Sequence, residues 1–208
     1  MNARGHMNAE GLAAGLELFL DGAFFDAREC ERLLAELRAS GGGAATVYDR
    51  DAPVSVDERV RRTARLTPSR ETVEFVRRRL NERIPALEVH FRLTLSECEE
   101  PQFLRYDVGG FFVAHQDGGS GLIRSEREAR KVSVVVFLNR QASADAPDEP
   151  GAYRGGSLVL HARLISSEDE RLPLACEPGT LAAFRSATTH EVLPVNGGER
   201  YTIACWFS

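Results

Sequence analysis

The chain has 208 residues, of which 43% are hydrophobic and 27% charged, as is ordinary for a globular protein. These proportions exclude an intrinsically disordered chain, which combines low hydrophobicity with high net charge. A net charge of −5 gives no general attraction for phosphate backbones, so no nucleic-acid partner is expected. No apolar run approaches the roughly 20 residues of a membrane span, and the first ten residues lack a secretory signal pattern. A cytoplasmic protein without membrane attachment is therefore predicted.

The first half of the chain predicts a helical cover. Asp26 and Glu29 have the spacing of a capping box, in which each side chain binds the backbone of the other residue. Apolar residues then recur at helical spacing as far as Leu37, which predicts an amphipathic helix. A second helix is predicted after Ser69, with an interruption at Pro85 because proline cannot donate a helical hydrogen bond.

From Gln102 onward the pattern changes to short apolar or alternating segments separated by glycine, proline and acidic residues, which is typical of an all-β unit. Eight strands are predicted, at residues 102–107, 111–116, 131–138, 156–161, 172–176, 180–184, 190–195 and 200–207. The predicted fold class is mostly β with N-terminal helices, a double-stranded β-helix (jelly-roll) core flanked by covering helices. The predicted organisation is a disordered or tag-like N-terminus at 1–10 and a single domain over 11–208, with helical cover 26–90, polar connection 44–68 and jelly-roll core 102–208.

Three residues suggest a metal site. His115 and Asp117 stand two residues apart, and side chains at that spacing project from the same face of a strand. His190 begins a later predicted strand that could lie opposite this pair. Two histidines and one carboxylate can occupy one face of an octahedral iron(II) and leave the opposite face open. Taken singly, a surface hydrogen-bonded pair or a strand cap would explain these residues, but their order and strand context favour the metal site.

A possible anion clamp follows on the last predicted strand. Arg200 lies ten residues beyond His190, and Thr202 shares its strand face. A planar guanidinium matches a carboxylate through two parallel hydrogen bonds, and a hydroxyl adds another donor. A solvated charge is the alternative for Arg200, and Tyr106 suits core packing and pocket lining equally well. The four cysteines form no C-x-x-C pair, which favours small buried side chains over a thiolate metal site.

The second half of the chain resembles the prolyl 4-hydroxylase-like branch of the iron(II)- and 2-oxoglutarate-dependent dioxygenases. The matching segments are Phe103-Leu104-Arg105-Tyr106, Gly109-Gly110, His115-x-Asp117, Gly155-Gly156-Ser157-Leu158, Pro178-Gly179-Thr180, His190 and Arg200-x-Thr202. The resemblance implies that the metal ligands are His115, Asp117 and His190. It implies that the co-substrate residues are Arg200 and Thr202 for the distal carboxylate and Tyr106 for the pocket wall. Many members have tyrosine where this chain has Phe112, and several have one near Phe137, so the substrate stays open.

The implied reaction hydroxylates an unactivated C–H bond while 2-oxoglutarate is converted to succinate and carbon dioxide. The implied cofactors and co-substrates are Fe(II), 2-oxoglutarate and O2, with ascorbate as a candidate accessory reductant. The preferred substrate is a prolyl or other residue of a peptide or protein, and a free amino acid or small metabolite is the alternative. Outside enzymes, the rival is a jelly-roll binding module, which would release no succinate. The connection 118–131 is expected to contact substrate, and 139–154 to be a mobile surface loop.

Overall fold

The computed structural model describes residues 15–40, 42–44, 59–118, 129–147, 149–162 and 170–208. The predicted tag-like segment 1–10 and most of the connection 118–131 lie outside them. The helices are α1 (Ala27–Ala39), α2 (Arg70–Asn81) and α3 (Ile84–Phe91). The strands are β1 (Phe19–Asp21), β2 (Gly42–Ala44), β3 (Arg61–Arg62), β4 (Ala64–Leu66), β5 (Gln102–Tyr106), β6 (Phe111–His115), β7 (Val132–Phe137), β8 (Arg154–Gly155), β9 (Leu158–Ala162), β10 (Glu170–Leu174), β11 (Leu181–Arg185), β12 (His190–Val192), β13 (Val195–Gly197) and β14 (Arg200–Phe207).

Helix α1 begins at the capping box that the sequence predicted. The Glu29 amide donates to the Asp26 carboxylate (2.8 Å), and the Asp26 amide donates to the Glu29 carboxylate (2.9 Å). The buried face of the helix consists of Cys30, Leu33 and Leu37, because residues three and four apart share one side of a helix.

The break between α2 and α3 was predicted at Pro85 and lies before it. Helix α2 ends at Asn81, and the turn between the helices is formed by Glu82 and Arg83. Pro85 instead occupies the first turn of α3, where a missing amide costs no helical hydrogen bond. The prediction of an interruption at Pro85 was therefore wrong, since proline is tolerated at a helix start.

No helix in the described part of the chain is long and apolar enough to cross a membrane.

Two antiparallel sheets form the body of the domain. The larger has the order β1-β11-β7-β14-β5-β4-β2, and the smaller has the order β10-β9-β12-β6-β3. One core cluster joins their inner faces, with Leu104 and Phe184 from the larger sheet and Leu160 from the smaller. A second cluster packs helix residues such as Leu33 against Val134 on the other face of the larger sheet. This arrangement confirms the predicted jelly-roll core with covering helices.

Two of the predicted strands differ from the prediction. In segment 156–161 the strand β9 begins only at Leu158, after a gap that separates it from the short strand β8, and segment 190–195 is divided into β12 and β13 around Pro194, which has no amide to donate. Gly156 lies in the first gap with φ 62°, and a Cβ there would lie 2.9 Å from Val195 Cγ2 and 3.1 Å from Arg200 Cδ. Glycine is therefore needed for the chain to pass close to Arg200.

The predicted polar connection 44–68 contributes the strands β3 and β4, which are too short to show a periodicity in the sequence.

Candidate metal centre and adjoining pocket

The end of β6 and the start of β12 bring the two predicted histidines together. His115 and His190 are register partners, and their ring centroids are 4.2 Å apart. Asp117 follows β6, and its carboxylate oxygens lie 3.6 Å from His115 Nε2 and 3.3 Å from His190 Nε2. Ligand atoms of all three side chains lie within 4.8 Å of one another. The structure thus places the three predicted metal ligands in one cluster.

Backbone carbonyls orient both imidazole rings. His115 Nδ1 lies 2.8 Å from the Val113 oxygen, and His190 Nδ1 lies 2.9 Å from the Thr188 oxygen. A carbonyl can only accept, so we assign a proton to each Nδ1. Each Nε2 is then the nitrogen that can bind a metal, with its ring fixed from behind, as is usual for metal-ligating histidines.

Burial and mutual charge set the protonation of the cluster. Burial and the neighbouring His190 lower the pKa of His115 to about 3. Burial alone would raise the pKa of the Asp117 carboxyl, but His190 and His115 hold it well below its usual range. Burial alone would lower the pKa of His190, but Asp117 raises it. The carboxylate is therefore anionic, and it favours a positive charge beside it.

Two serines that the sequence analysis did not single out fix the position of Asp117. Ser133 Oγ donates to Asp117 Oδ2 (2.8 Å), and Ser186 Oγ lies 2.9 Å from Ser133 Oγ. The Asp117 amide donates to the Ser186 carbonyl (3.0 Å), and both serines are buried. The sequence shows Ser133 as the one polar residue in the apolar run 132–138. Its partners cannot be read from the sequence, because they depend on the pairing of β7 with β11 and on the position of Asp117 in the fold.

A cavity of about 480 Å³ runs from this cluster to the predicted anion clamp. Arg200 is 1% exposed, and its Nη1 donates to Thr202 Oγ1 (3.2 Å). The guanidinium carbon lies 5.1 Å from the ring centroid of Tyr106 and 5.5 Å from that of Phe137. The predicted co-substrate residues Arg200, Thr202 and Tyr106 are all buried and all line this cavity.

Some buried donors of Arg200 and of its neighbour Tyr153 lack acceptors. Arg200 Nε and Nη2 have no hydrogen-bond partner among the described residues, and neither has the buried hydroxyl of Tyr153. Tyr153 lies beside Arg200: burial raises the pKa of the phenol, and the arginine charge opposes that rise. An unpaired buried cation costs several kcal/mol in effective terms, so this end of the cavity suits a carboxylate.

Tyr153 also corrects the expectation for residues 139–154. The sequence predicted a mobile surface loop, but Tyr153 is 1% exposed. Asn139 Nδ2 donates to the carbonyls of Gly151 and Glu199, and the Tyr153 amide donates to the Arg140 carbonyl. The described part of this segment is therefore tied to β14, because the Tyr201 amide donates to Asn139 Oδ1, and its end places a buried tyrosine beside Arg200.

Two residues near the site have other partners. His161 Nε2 lies 3.0 Å from Glu191 Oε1, which also pairs with Arg171, and His161 does not line the cavity. Phe112 stacks on His115 with centroids 3.6 Å apart and planes at 19°. The ring thereby supports one face of the histidine.

Residues 101–208 match the family model described as the 2OG-Fe(II) oxygenase superfamily, and this match covers more than half of the chain. The chain belongs to the 2OG-Fe(II) oxygenase superfamily. Membership confirms the resemblance drawn from the sequence and the expected pair of Fe(II) and 2-oxoglutarate. The donor set also fits them, since two imidazoles and one carboxylate suit iron(II) and a buried guanidinium suits a dicarboxylate.

Relatives of the superfamily agree with this assignment. A PKHD-type hydroxylase from Stenotrophomonas maltophilia is 32% identical over 107 residues, which are 51% of this chain and 41% of that protein. The chain thus spans less than half of that relative's length. A prolyl-4-hydroxylase from Pseudomonas putida superposes with a TM-score of 0.66 at 23% identity, covering 96% of this chain and 97% of that one. A prolyl hydroxylase from Trichoplax adhaerens, in complex with a hypoxia inducible factor oxygen degradation domain peptide fragment, gives 0.64 at 16% identity, covering 94% and 84%. These structures share its fold.

Proposed function

We propose that this chain is an oxygenase that hydroxylates an unactivated C–H bond and releases succinate and carbon dioxide from 2-oxoglutarate. Iron(II) would be held by His115, Asp117 and His190, and the distal carboxylate of 2-oxoglutarate by Arg200. The carrying observation is a single cavity with a clustered metal-ligand set at one end and a buried, unpaired guanidinium at the other.

The metal-binding side chains need little rearrangement. Both Nε2 atoms and the Asp117 carboxylate already face one another, and Ser133 holds one carboxylate oxygen by a hydrogen bond. Three ligands on one side leave coordination positions for co-substrate and oxygen. When bound, iron with 2-oxoglutarate supplies the oxidising chemistry.

The remaining side chains bind and orient the co-substrate. Arg200 offers two unused nitrogens in a planar fork, and Thr202 and Tyr153 stand beside it with their hydroxyls. The rings of Tyr106 and Phe137 flank the guanidinium and exclude water around it. Charge-assisted hydrogen bonds are stronger where water is excluded, so this pocket would discriminate in favour of a dicarboxylate.

The proposed primary substrate is a prolyl or other residue of a peptide or protein. Support comes from relatives named PKHD-type hydroxylases and from the shared fold of two prolyl hydroxylases, one bound to a peptide. A free amino acid or small metabolite is the second candidate, because the same metal centre can serve either.

The test is succinate release by the purified chain supplied with Fe(II), 2-oxoglutarate and O2, followed by NMR, with iron omitted as the control. Iron-dependent succinate is the expected result. A jelly-roll binding module would release none under either condition, and that outcome would refute the proposal. Mass spectrometry of peptides and proteins added to the reaction then identifies the substrate as the species that gains one oxygen atom.

A further inference from the structure

Arginines dominate the charge of the cavity wall. Four of them line it: Arg61, Arg65, Arg130 and Arg200. Arg130 donates from Nε and Nη2 to the Glu99 carboxylate at 2.6 and 2.5 Å. Arg65 lies 3.6 Å from the Glu100 carboxylate. The other two make no ion pair with any described residue, and the one acidic residue among the described lining residues is Asp117.

The proposed function accounts for Arg200 but not for Arg61. The two positive charges of iron(II) and the one of Arg200 balance the two negative charges of 2-oxoglutarate and the one of Asp117. Arg65 and Arg130 are balanced by their own glutamates. With iron and co-substrate in place, Arg61 therefore remains as a positive charge on the wall of the cavity that no described residue compensates.

Arg61 is held beside the metal cluster by stacked rings. Strand β3 pairs with β6 so that Arg61 lies opposite Phe112. Its guanidinium carbon lies 4.7 Å from the Phe112 ring centroid, and that ring stacks in turn on His115. Arg61 Nε is buried and has no hydrogen-bond partner among the described residues. A guanidinium stacked on an aromatic ring keeps its donor edge available, so Arg61 presents donors to the space next to the metal centre.

We propose that Arg61 binds a carboxylate of the primary substrate and thereby holds the reacting carbon next to the iron. The inference rests on the proposed function and adds the chemical class of the substrate, which carries a carboxylate close to the oxidised position. Guanidinium and carboxylate match in geometry through two parallel hydrogen bonds. An acidic residue of a peptide and the carboxyl group of a free amino acid both offer this group.

The experiment measures binding rather than turnover. The full chain is loaded with Mn(II) and N-oxalylglycine, an unreactive analogue of 2-oxoglutarate, and incubated with two matched pairs of pools. One pair consists of acetylated, amidated proline peptides containing Asp and Glu, or Asn and Gln in their place. The other pair consists of free amino acids and their amides. Ultrafiltration and mass spectrometry identify the retained members, and the pair that shows a preference identifies the source of the carboxylate.

Carboxylate members should be retained roughly tenfold or more over their amide counterparts, as expected for hydrogen bonds to a charged group. Arg61→Gln should abolish the preference for carboxylates over amides, while the affinity of the variant for N-oxalylglycine should equal that of the wild type. Arg62→Gln is the matched control, because Arg62 is the next residue on β3 and its Nη1 lies against Gly109, away from the cavity lining.

Equal retention of acids and amides by the wild type would overturn the inference. So would an Arg61→Gln variant that loses no more preference than Arg62→Gln. If the wild type binds N-oxalylglycine normally in either case, the proposed function survives and only the role of Arg61 is refuted. If the wild type does not bind N-oxalylglycine, the proposed function fails and this inference fails with it.

Discussion

Replacement of Arg200 tests the proposed co-substrate pocket most directly. Arg200 is 1% exposed, and its Nε and Nη2 have no partner among the described residues. Arg200→Ala removes the whole donor fork, whereas Arg200→Lys keeps the charge and loses the parallel donors. The two variants therefore separate the contribution of charge from that of geometry.

The size of the effect follows from burial. Truncating one member of a buried, hydrogen-bonded charge pair costs about 2–5 kcal/mol, and about 2 kcal/mol corresponds to roughly thirtyfold in affinity. We expect Arg200→Ala to weaken 2-oxoglutarate binding by roughly thirtyfold or more, and Arg200→Lys to weaken it less. Iron content should change little in either variant, because the three proposed metal ligands lie outside β14.

The same burial predicts an unusual effect on stability. Without co-substrate, Arg200 is a buried cation that is only partly compensated by the rings of Tyr106 and Phe137. Arg200→Met, which fills similar space without charge, should not lower the free energy of unfolding of the ligand-free protein. Added 2-oxoglutarate should raise the Tm of the wild type more than that of Arg200→Met, because stabilisation by a ligand decreases as its affinity decreases.

Isothermal titration of 2-oxoglutarate into the Mn(II)-loaded protein measures the affinity, and thermal unfolding measures the stability. Arg105→Gln serves as the control, because Arg105 pairs with Asp107 and does not line the cavity. Superimposable titrations for wild type and Arg200→Ala would refute the clamp. The co-substrate carboxylate would then have to be sought at Arg61, since Arg130 is already occupied by a carboxylate.

Four further substitutions test the site. His115→Ala and His190→Ala should each remove most bound iron, measured by elemental analysis, and wild-type metal content with unchanged turnover in both would contradict the ligand assignment. Asp117→Ala should lose hydroxylation even where some iron remains, because a methyl group cannot replace an anionic ligand; succinate release at the wild-type rate would count against it. Tyr153→Phe should weaken 2-oxoglutarate binding by roughly threefold to tenfold, as for one lost hydrogen bond. Tyr201→Phe is its control, since that hydroxyl already donates to a glutamate, and equal titrations for the two would exclude Tyr153 from the pocket.

Local periodicity explains what could be predicted. Arg200 and Thr202 share a strand face because side chains two apart point the same way, and the 3.2 Å contact between them follows from that spacing. The capping box at Asp26 is equally local. The meeting of His115 with His190 is not local, but each lies on a segment with a clear strand pattern, so a jelly-roll topology suffices to bring them opposite one another.

Short elements explain what could not be predicted. Strand β3 has two residues, too few for any periodicity, and nothing in the sequence indicates that it adds to the edge of β6. The position of Arg61 over Phe112 depends entirely on that pairing. The segment 59–65 is rich in arginine, and in the structure two of these arginines, Arg61 and Arg65, line the cavity.

Tyr153 shows why transferring roles position by position has a limit. Several members of the prolyl 4-hydroxylase-like branch have tyrosine near the position of Phe137. Compared with them, this chain lacks a hydroxyl at that position. In the structure the Phe137 ring still flanks Arg200, at 5.5 Å, and Tyr153, sixteen residues further along the chain, is buried beside the same arginine with its hydroxyl unpaired among the described residues. A carboxylate bound at Arg200 requires a hydrogen-bond donor within reach, whichever segment of the chain carries that donor. The missing hydroxyl at Phe137 therefore does not weaken the proposed pocket, because a residue on a different segment supplies one.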